Sequence, residues 1–296
     1  MNSRIAASRT VVTLLALSLD GHPALQQVPC ESTEYTPQFA QEGKDVVWVP
    51  TPKALVERML RMASVGSSDY VIDLGSGDGR IVIMAAARFG ARGLGIEYNP
   101  DMVALSVRNA ERAGVAEKVK FVEADIFESD FSQATVITLF LLQALNVKLR
   151  PRFLDLRPGT RIVSHAFSME DWQPDQMITV DGDNGYLWIV PARVAGTWKL
   201  TVASGSGEET WTLTLDQHFQ MLTGLVRLPE GLFDLVDARM RGTEIRFHFV
   251  DASDAKLEFS GRAFSDRMGG TVRSQGSTSL KWSAAREKVS AEVPRT

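Results

Sequence analysis

Residues 71–80 read VIDLGSGDGR, an apolar run that meets an acid at Asp73, then glycines at 75, 77 and 79. A helical pattern starts at Arg80, so the stretch reads as a buried strand, a tight turn and a helix start. Glycines at the turn let the backbone bend sharply and approach a ligand with no side chain in the way. The helix start behind them offers free N–H groups and a partial positive charge. The dinucleotide pattern G-x-G-x-x-G requires a third glycine where this chain has Arg80. Here the spacing is G-x-G-x-G, and Asp73 would repel a pyrophosphate but attract an ammonium group.

The stretch resembles the first motif for S-adenosylmethionine (SAM) in class I methyltransferases. SAM carries an ammonium, a carboxylate and a sulfonium, and no phosphate. Two further acids fit that ligand. Glu97, in IEYNP, lies 20 residues beyond Gly77 and suits a ribose diol, since a carboxylate accepts from both hydroxyls. Asp125, in EADIF, is placed to accept from the adenine amino group, with Ile126 or Phe127 against the ring; the alternative is a turn aspartate with a core phenylalanine. The candidate cofactor set is Thr51, Asp73, Gly75, Ser76, Gly77, Asp78, Gly79, Arg80, Glu97, Asn99, Asp125 and Ile126. The product would be S-adenosylhomocysteine.

The acceptor side is less defined. The run TLFLLQ at 138–143 lacks the Asn-Pro-Pro-Tyr run of many nucleic-acid and glutamine N-methyltransferases, which argues against base or amide amino groups. Thr138 and Phe140 are candidate linings of an acceptor channel, one of them expected in the strand core. His165 and Trp172, in VSHAFSMEDWQPD, are further candidates, each with a structural alternative. No metal-ligand spacing, Ser-His-Asp set or nucleophilic cysteine is evident. Methyl transfer from a sulfonium is an in-line displacement that rests largely on positioning. An apolar channel lowers the pKa of a lysine ammonium, so an obvious general base is not required.

These residues need a scaffold, and the surrounding pattern supplies one. Strands are expected at 70–74, 93–97, 119–123, 135–140 and 160–164. Helices are expected at 80–89, 100–113 and 144–155. Strands alternating with helices imply a parallel sheet covered on both faces. MITV, a DGDNG turn and YLWIV then read as a hairpin closing the sheet. A helix over 54–63 is expected to precede it, with Pro52 at its first position and Thr51 as N-cap.

Beyond Pro191 the character changes. TWKLTV, TWTLTL, LTGLVRL, EIRFHFV, KLEFSGRAF, GGTVRS and SLKWSAA alternate at a spacing that indicates an antiparallel barrel or sandwich of about eight strands. A G-x-[VA] element recurs at Gly224, Gly261 and Gly270 and suggests a repeated hairpin unit. The expected fold class is therefore α/β, a Rossmann-like methyltransferase sheet followed by an all-β domain. The expected division is a leader at 1–24, a linker at 25–45, a SAM domain at 46–192, a β domain at 193–286 and a tail at 287–296.

At 296 residues, 44% hydrophobic and 23% charged, the chain has globular composition. Its net charge of −4 and pI near 5.7 argue against a nucleic-acid-binding face. A single cysteine, Cys30, excludes an internal disulfide framework. The apolar run at 11–19 is too short to span a bilayer and fits the h-region of a signal peptide. That implies export to the periplasm; the alternatives are a cytoplasmic protein with a frayed N-terminus, or an organellar one with a transit peptide. The supply of SAM, a cytoplasmic metabolite, argues against export.

Val49-Pro50, DLGSGDGR, GIEYNP, ADIF, FSQATVITLF, LRPGTRIVSHAF and DWQPD together resemble the ATP synthase c-subunit lysine N-methyltransferase family. That resemblance implies SAM-dependent N-methylation with a protein lysine as leading acceptor and no metal. The added β domain leaves two alternatives: a small or lipid-like acceptor held inside a barrel, or a non-catalytic SAM-binding module that contacts a partner.

Overall fold

Val71 and Ile72, adjacent in the first strand, are both buried, and they belong to different hydrophobic clusters. Alternate residues of a strand point to opposite faces, so this strand must be covered on both sides, as in a parallel sheet with helices above and below. A computed structural model of the chain, describing residues 35–204, 207–274 and 279–287, has that arrangement. The expected leader at 1–24 and most of the tail lie outside the described residues.

The elements of the first half are α1 (Lys53–Met62), β1 (Tyr70–Leu74), α2 (Arg80–Phe89), β2 (Arg92–Glu97), α3 (Pro100–Arg112) and β3 (Val119–Glu123). They continue with β4 (Val136–Leu139), α4 (Gln143–Leu154), β5 (Arg161–His165), β6 (Gln176–Val180) and β7 (Asp183–Ile189). The seven strands lie in the order β3-β2-β1-β4-β5-β7-β6. Strands β1 to β5 are parallel, and β7 runs antiparallel to β5 and β6. The last two form the expected hairpin. Asp181 and Gly182, with φ of 52° and 94°, make its two-residue turn, and left-handed conformations at both positions match the strand twist. One face packs Val71, Val136, Val163 and Leu187 against α1 and α2; the other packs Ile72, Ile137, Ile162 and Trp188 against α4.

Two local expectations are corrected. The N-cap of α1 is Pro52, one residue later than expected, and proline has no side-chain group to form a cap bond; the Thr51 hydroxyl is bonded to His165. Trp172 is no acceptor wall. It is fully buried, 5.7 Å from Phe219 in a stacked pair and 6.2 Å from Trp188.

Phe219 belongs to the second half. This comprises β8 (Gly196–Ser204), β9 (Gly207–His218), β10 (Met221–Leu228), β11 (Gly231–Asp234), β12 (Val236–Arg241), β13 (Glu244–Val250), β14 (Lys256–Phe264), β15 (Arg267–Ser274) and β16 (Leu280–Arg286). Each strand pairs antiparallel with the next, apart from β11 and β12, which both pair with β10. Pairing of β16 with β8 closes the ring into a barrel. Strands β11 and β12 act as one stave broken at Leu235, so nine strands make eight staves. Trp198, Trp211, Phe247, Phe259 and Trp282 fill the interior. Gly261 and Gly270 face each other in register, and a β-carbon on Gly270 would lie 2.0 Å from the Ser260 carbonyl oxygen. The G-x-[VA] element thus marks close strand approach with an inward Val or Ala, not a repeated hairpin.

The barrel meets the sheet through Phe219, through a Gln220 Nε2 bond to the Gln173 carbonyl, and through Gly242, which abuts Gly159 and Ile189. Ile189 pairs with Arg161, the first residue of β5. Gly242 therefore touches the sheet at the end opposite the carboxyl ends of the parallel strands.

Candidate active site

A pocket opens at the carboxyl ends of β1 to β4, the place where open α/β sheets bind ligands. Its walls include Asp73, the glycine turn, Glu97, Asn99, Asp125, Ile126, Phe140 and Leu145. Its roof was not legible in the sequence. Residues 41–51 cross over it, including part of the expected linker. This strap is tied to itself by Ala40 N–H donating to the Trp48 carbonyl and Trp48 N–H to the Gln41 carbonyl. Gly77, at φ 54°, leaves room for the roof: a β-carbon there would lie 2.5 Å from Trp48 Nε1.

The glycine turn is less open to anions than its sequence implies. Gly75 and Ser76 N–H both donate to the Ile96 carbonyl, Gly77 N–H to Glu97 Oε2, Gly79 N–H to the Ser76 carbonyl and Arg80 N–H to Asp78 Oδ1. Five amides of the turn are thus engaged within the protein. The Ser76 hydroxyl is buried, beside the position a Gly95 β-carbon would take. Arg80 pairs with Asp78 at 2.6 Å and donates to the Thr51 carbonyl, locking the turn to the strap.

The site's remaining chemistry is anionic. Glu97 accepts from Gly77 N–H at 2.8 Å and Asn99 N–H at 3.0 Å, so each oxygen keeps a lone pair for a ligand hydroxyl. Asn99 caps α3 through its side-chain oxygen. Asp125 accepts from Phe127 N–H and is paired with Lys44 of the strap, which also lies over the Tyr98 ring. Those contacts hold its carboxyl below the ordinary range, the Lys44 hydrogen bond contributing most. Asp73 is buried, and its Oδ1 accepts from Thr138 Oγ at 2.6 Å. Burial pushes its pKa up to about 7, with the charges of Glu97 and Asp78 adding to the rise and the Thr138 bond opposing it. Three carboxyls at the ends of β1, β2 and β3, beside a turn with few free amides, fit a cationic, hydroxyl-bearing ligand without phosphate. SAM has that chemistry.

The acceptor candidates separate clearly. Phe140 lines the pocket. Thr138 is fully buried beneath it, committed to Asp73, and is not a channel residue. His165 is buried and does not line the pocket directly. It reaches the site through Phe140, at 3.8 Å between ring centroids, and through Thr51 Oγ1, at 3.1 Å from Nδ1. Nothing in the sequence marks the strap residues Lys44 and Trp48 as part of a site beyond the apolar, proline-bearing VVWVPTP.

The model of the ANTKMT methyltransferase domain matches residues 73–176. A protein-lysine N-methyltransferase of Saccharolobus islandicus is 42% identical over 151 residues, covering 49% of this chain and 94% of that protein. The ATP synthase c-subunit lysine N-methyltransferase of Mus musculus is 36% identical over 43% of this chain; the match spans about half of the mouse protein's length, 51%. The crystal structure of an RNA methyltransferase from Salinibacter ruber in complex with S-adenosyl-L-homocysteine is 52% identical, covering 49% of this chain and 96% of that one, with a TM-score of 0.49. From its sheet order, its carboxylate-lined pocket and its sequence matches, the chain belongs to the family of SAM-dependent class I methyltransferases that includes the protein-lysine N-methyltransferase of Saccharolobus and the ATP synthase c-subunit lysine N-methyltransferases.

Proposed function

We propose that this enzyme methylates lysine side chains of a protein substrate. The observation that carries the reading is the similarity to the Saccharolobus enzyme over nearly all of that enzyme's length. The pocket supports it, because its β4 side is apolar, with Phe140, Leu141 and Leu145 beside Asp73. Such a wall strips water from an ammonium and lowers its pKa, which helps the amine shed the proton it must lose before it can attack.

SAM would supply an electrophilic methyl on a sulfonium. In this reading Asp73 faces its ammonium group, Glu97 holds the ribose hydroxyls, and Asp125 with Ile126 receives the adenine. The strap excludes water from above, and Phe140 aligns the acceptor. Placing nucleophile and methyl in line converts much of the barrier into binding already made.

The test is to incubate the protein with radiolabelled SAM and whole-cell extract, and to locate the label by mass spectrometry. Methylated lysine in protein is the expected result. Label confined to small molecules or RNA overturns the reading.

A further inference from the structure

We propose that Thr51 and His165, with Asp183, form a proton-accepting relay that converts the acceptor ammonium into a free amine. The inference rests on the amine-acceptor reading above.

Three separated segments converge here. Thr51 precedes α1, His165 ends β5 and Asp183 begins β7. The β5–β7 register pairs His165 with Gly185 and brings Asp183 alongside. Thr51 and His165 are each 3% exposed. Thr51 Oγ1 and His165 Nδ1 are 3.1 Å apart, and His165 Nε2 and Asp183 Oδ1 are 3.8 Å apart. The Thr51 hydroxyl lies one residue before the N-cap Pro52 and meets the imidazole. Thr51 lines the pocket; His165 does not. His165 ends β5, which lies beside β4, whereas Glu97 ends β2 and Asp125 follows β3.

The charged groups around the ring are Asp183 on β7, Asp73 on β1 through the pocket wall, and Arg80, which donates to the Thr51 carbonyl. Burial lowers the His165 pKa, and Asp183 opposes that shift. Burial thus favours the neutral ring. In the relay Thr51 donates to Nδ1 and the ring proton lies on Nε2, toward Asp183. The lone pairs of Thr51 Oγ1 are left to accept from an ammonium in the pocket.

The proton balance closes. The ammonium gives one proton to Thr51 Oγ1 as the hydroxyl proton moves to His165 Nδ1. The imidazolium is held by the Asp183 carboxylate, whose side chain is 45% exposed. The neutral amine uses its lone pair to form the N–CH₃ bond, and the electrons of the S–CH₃ bond stay on sulfur. After product leaves, His165 returns its Nδ1 proton through Thr51 to water.

The test compares His165→Gln, Thr51→Val and Thr51→Ser in single-turnover methyl transfer across pH. His165→Gln and Thr51→Val should lose roughly 100-fold at pH 7, and the deficit should shrink to under about tenfold near pH 10, where lysine begins to shed its proton unaided. Thr51→Ser, which keeps the hydroxyl, should recover most of the activity that Thr51→Val loses at pH 7, and His165→Gln should bind S-adenosylhomocysteine as wild type does. A loss of equal size at every pH, or an active Thr51→Val, overturns the relay. A second measurement needs no protein substrate. Titrating n-butylammonium into the S-adenosylhomocysteine complex should move the His165 ring resonances in wild type and not in Thr51→Val; unmoved resonances overturn the relay. Absent lysine label in extract with a positive butylammonium titration would sink the lysine reading and leave the relay standing.

Discussion

Lys44, on the strap, is paired with the carboxylate of Asp125, which lies 81 residues further along the chain on the pocket floor. Asp125 also accepts from Phe127 N–H. A ligand amino group arriving at Asp125 must therefore share the carboxylate with a lysine. Partly exposed ion pairs are weak, so this one yields easily, but not without cost. Lys44→Met should tighten S-adenosylhomocysteine binding by roughly twofold to fivefold. Calorimetry decides; weaker binding would mean that Lys44 instead secures the strap over the ligand.

Glu97 carries two duties at once. Its oxygens fix the backbone of Gly77 and Asn99, at 2.8 and 3.0 Å. Glutamine keeps one acceptor and turns an NH₂ group toward the second N–H. Leaving a partly buried donor unpaired costs about 1–3 kcal/mol. Glu97→Gln should therefore weaken cofactor binding at least tenfold and lower the melting temperature without cofactor. A variant with wild-type affinity and melting point would contradict this arrangement.

Asp73 makes the enzyme sensitive to pH. Its folded-state pKa of about 7 lies above the ordinary 3.8. Between those values the folded protein holds a proton that the unfolded chain has released, so stability falls as pH rises from about 4 to 7 and then levels. Asp73→Asn removes the penalty while keeping an acceptor for Thr138. Its melting temperature should exceed wild type at pH 8, with a smaller gap at pH 5. Cofactor binding follows the opposite sign, because an ammonium prefers the ionised carboxyl. Wild-type affinity should weaken as pH drops below about 7, whereas Asp73→Asn should bind weakly and with little pH dependence. Calorimetric scans and titrations at the two pH values measure both effects.

The parts legible in the sequence are those set by local rules. β1 and α2 fall at 70–74 and 80–89 as expected, because a buried run, a glycine turn and a helical period are all short-range signals. Glu97 and Asp125 were legible because strand ends are. The strap was not, since residues 41–45 are polar and their role depends on contacts far along the chain. Thr51 and His165 meet across 114 residues, and the capping rule pointed elsewhere. Trp172 looks the same in sequence whether it lines a channel or a core; Phe219 of the barrel settles which. Strands β11 and β12 escaped notice because Leu235 breaks the stave and Asp234 and Asp237 interrupt its apolar alternation.

On the outside of the barrel, Arg239 and Arg246 sit opposite each other in register. Arg241 and Arg262 line the same hollow, where Glu244 is the one acid, 3.8 Å from Arg262. The half-buried Asp175 feels Arg239 and Arg241 but forms no ion pair with either among the described residues. Like charges facing across a strand pair destabilise it. Arg246→Glu would place a carboxylate opposite Arg239 and between the other guanidiniums. It should raise the unfolding free energy by about 1 kcal/mol, measured by urea titration at low ionic strength. The gain should shrink in 0.5 M salt, where the screening length falls to roughly 4 Å. A gain that ignores salt would point to packing rather than charge, and a loss would show that the arginines are already neutralised by groups beyond this face.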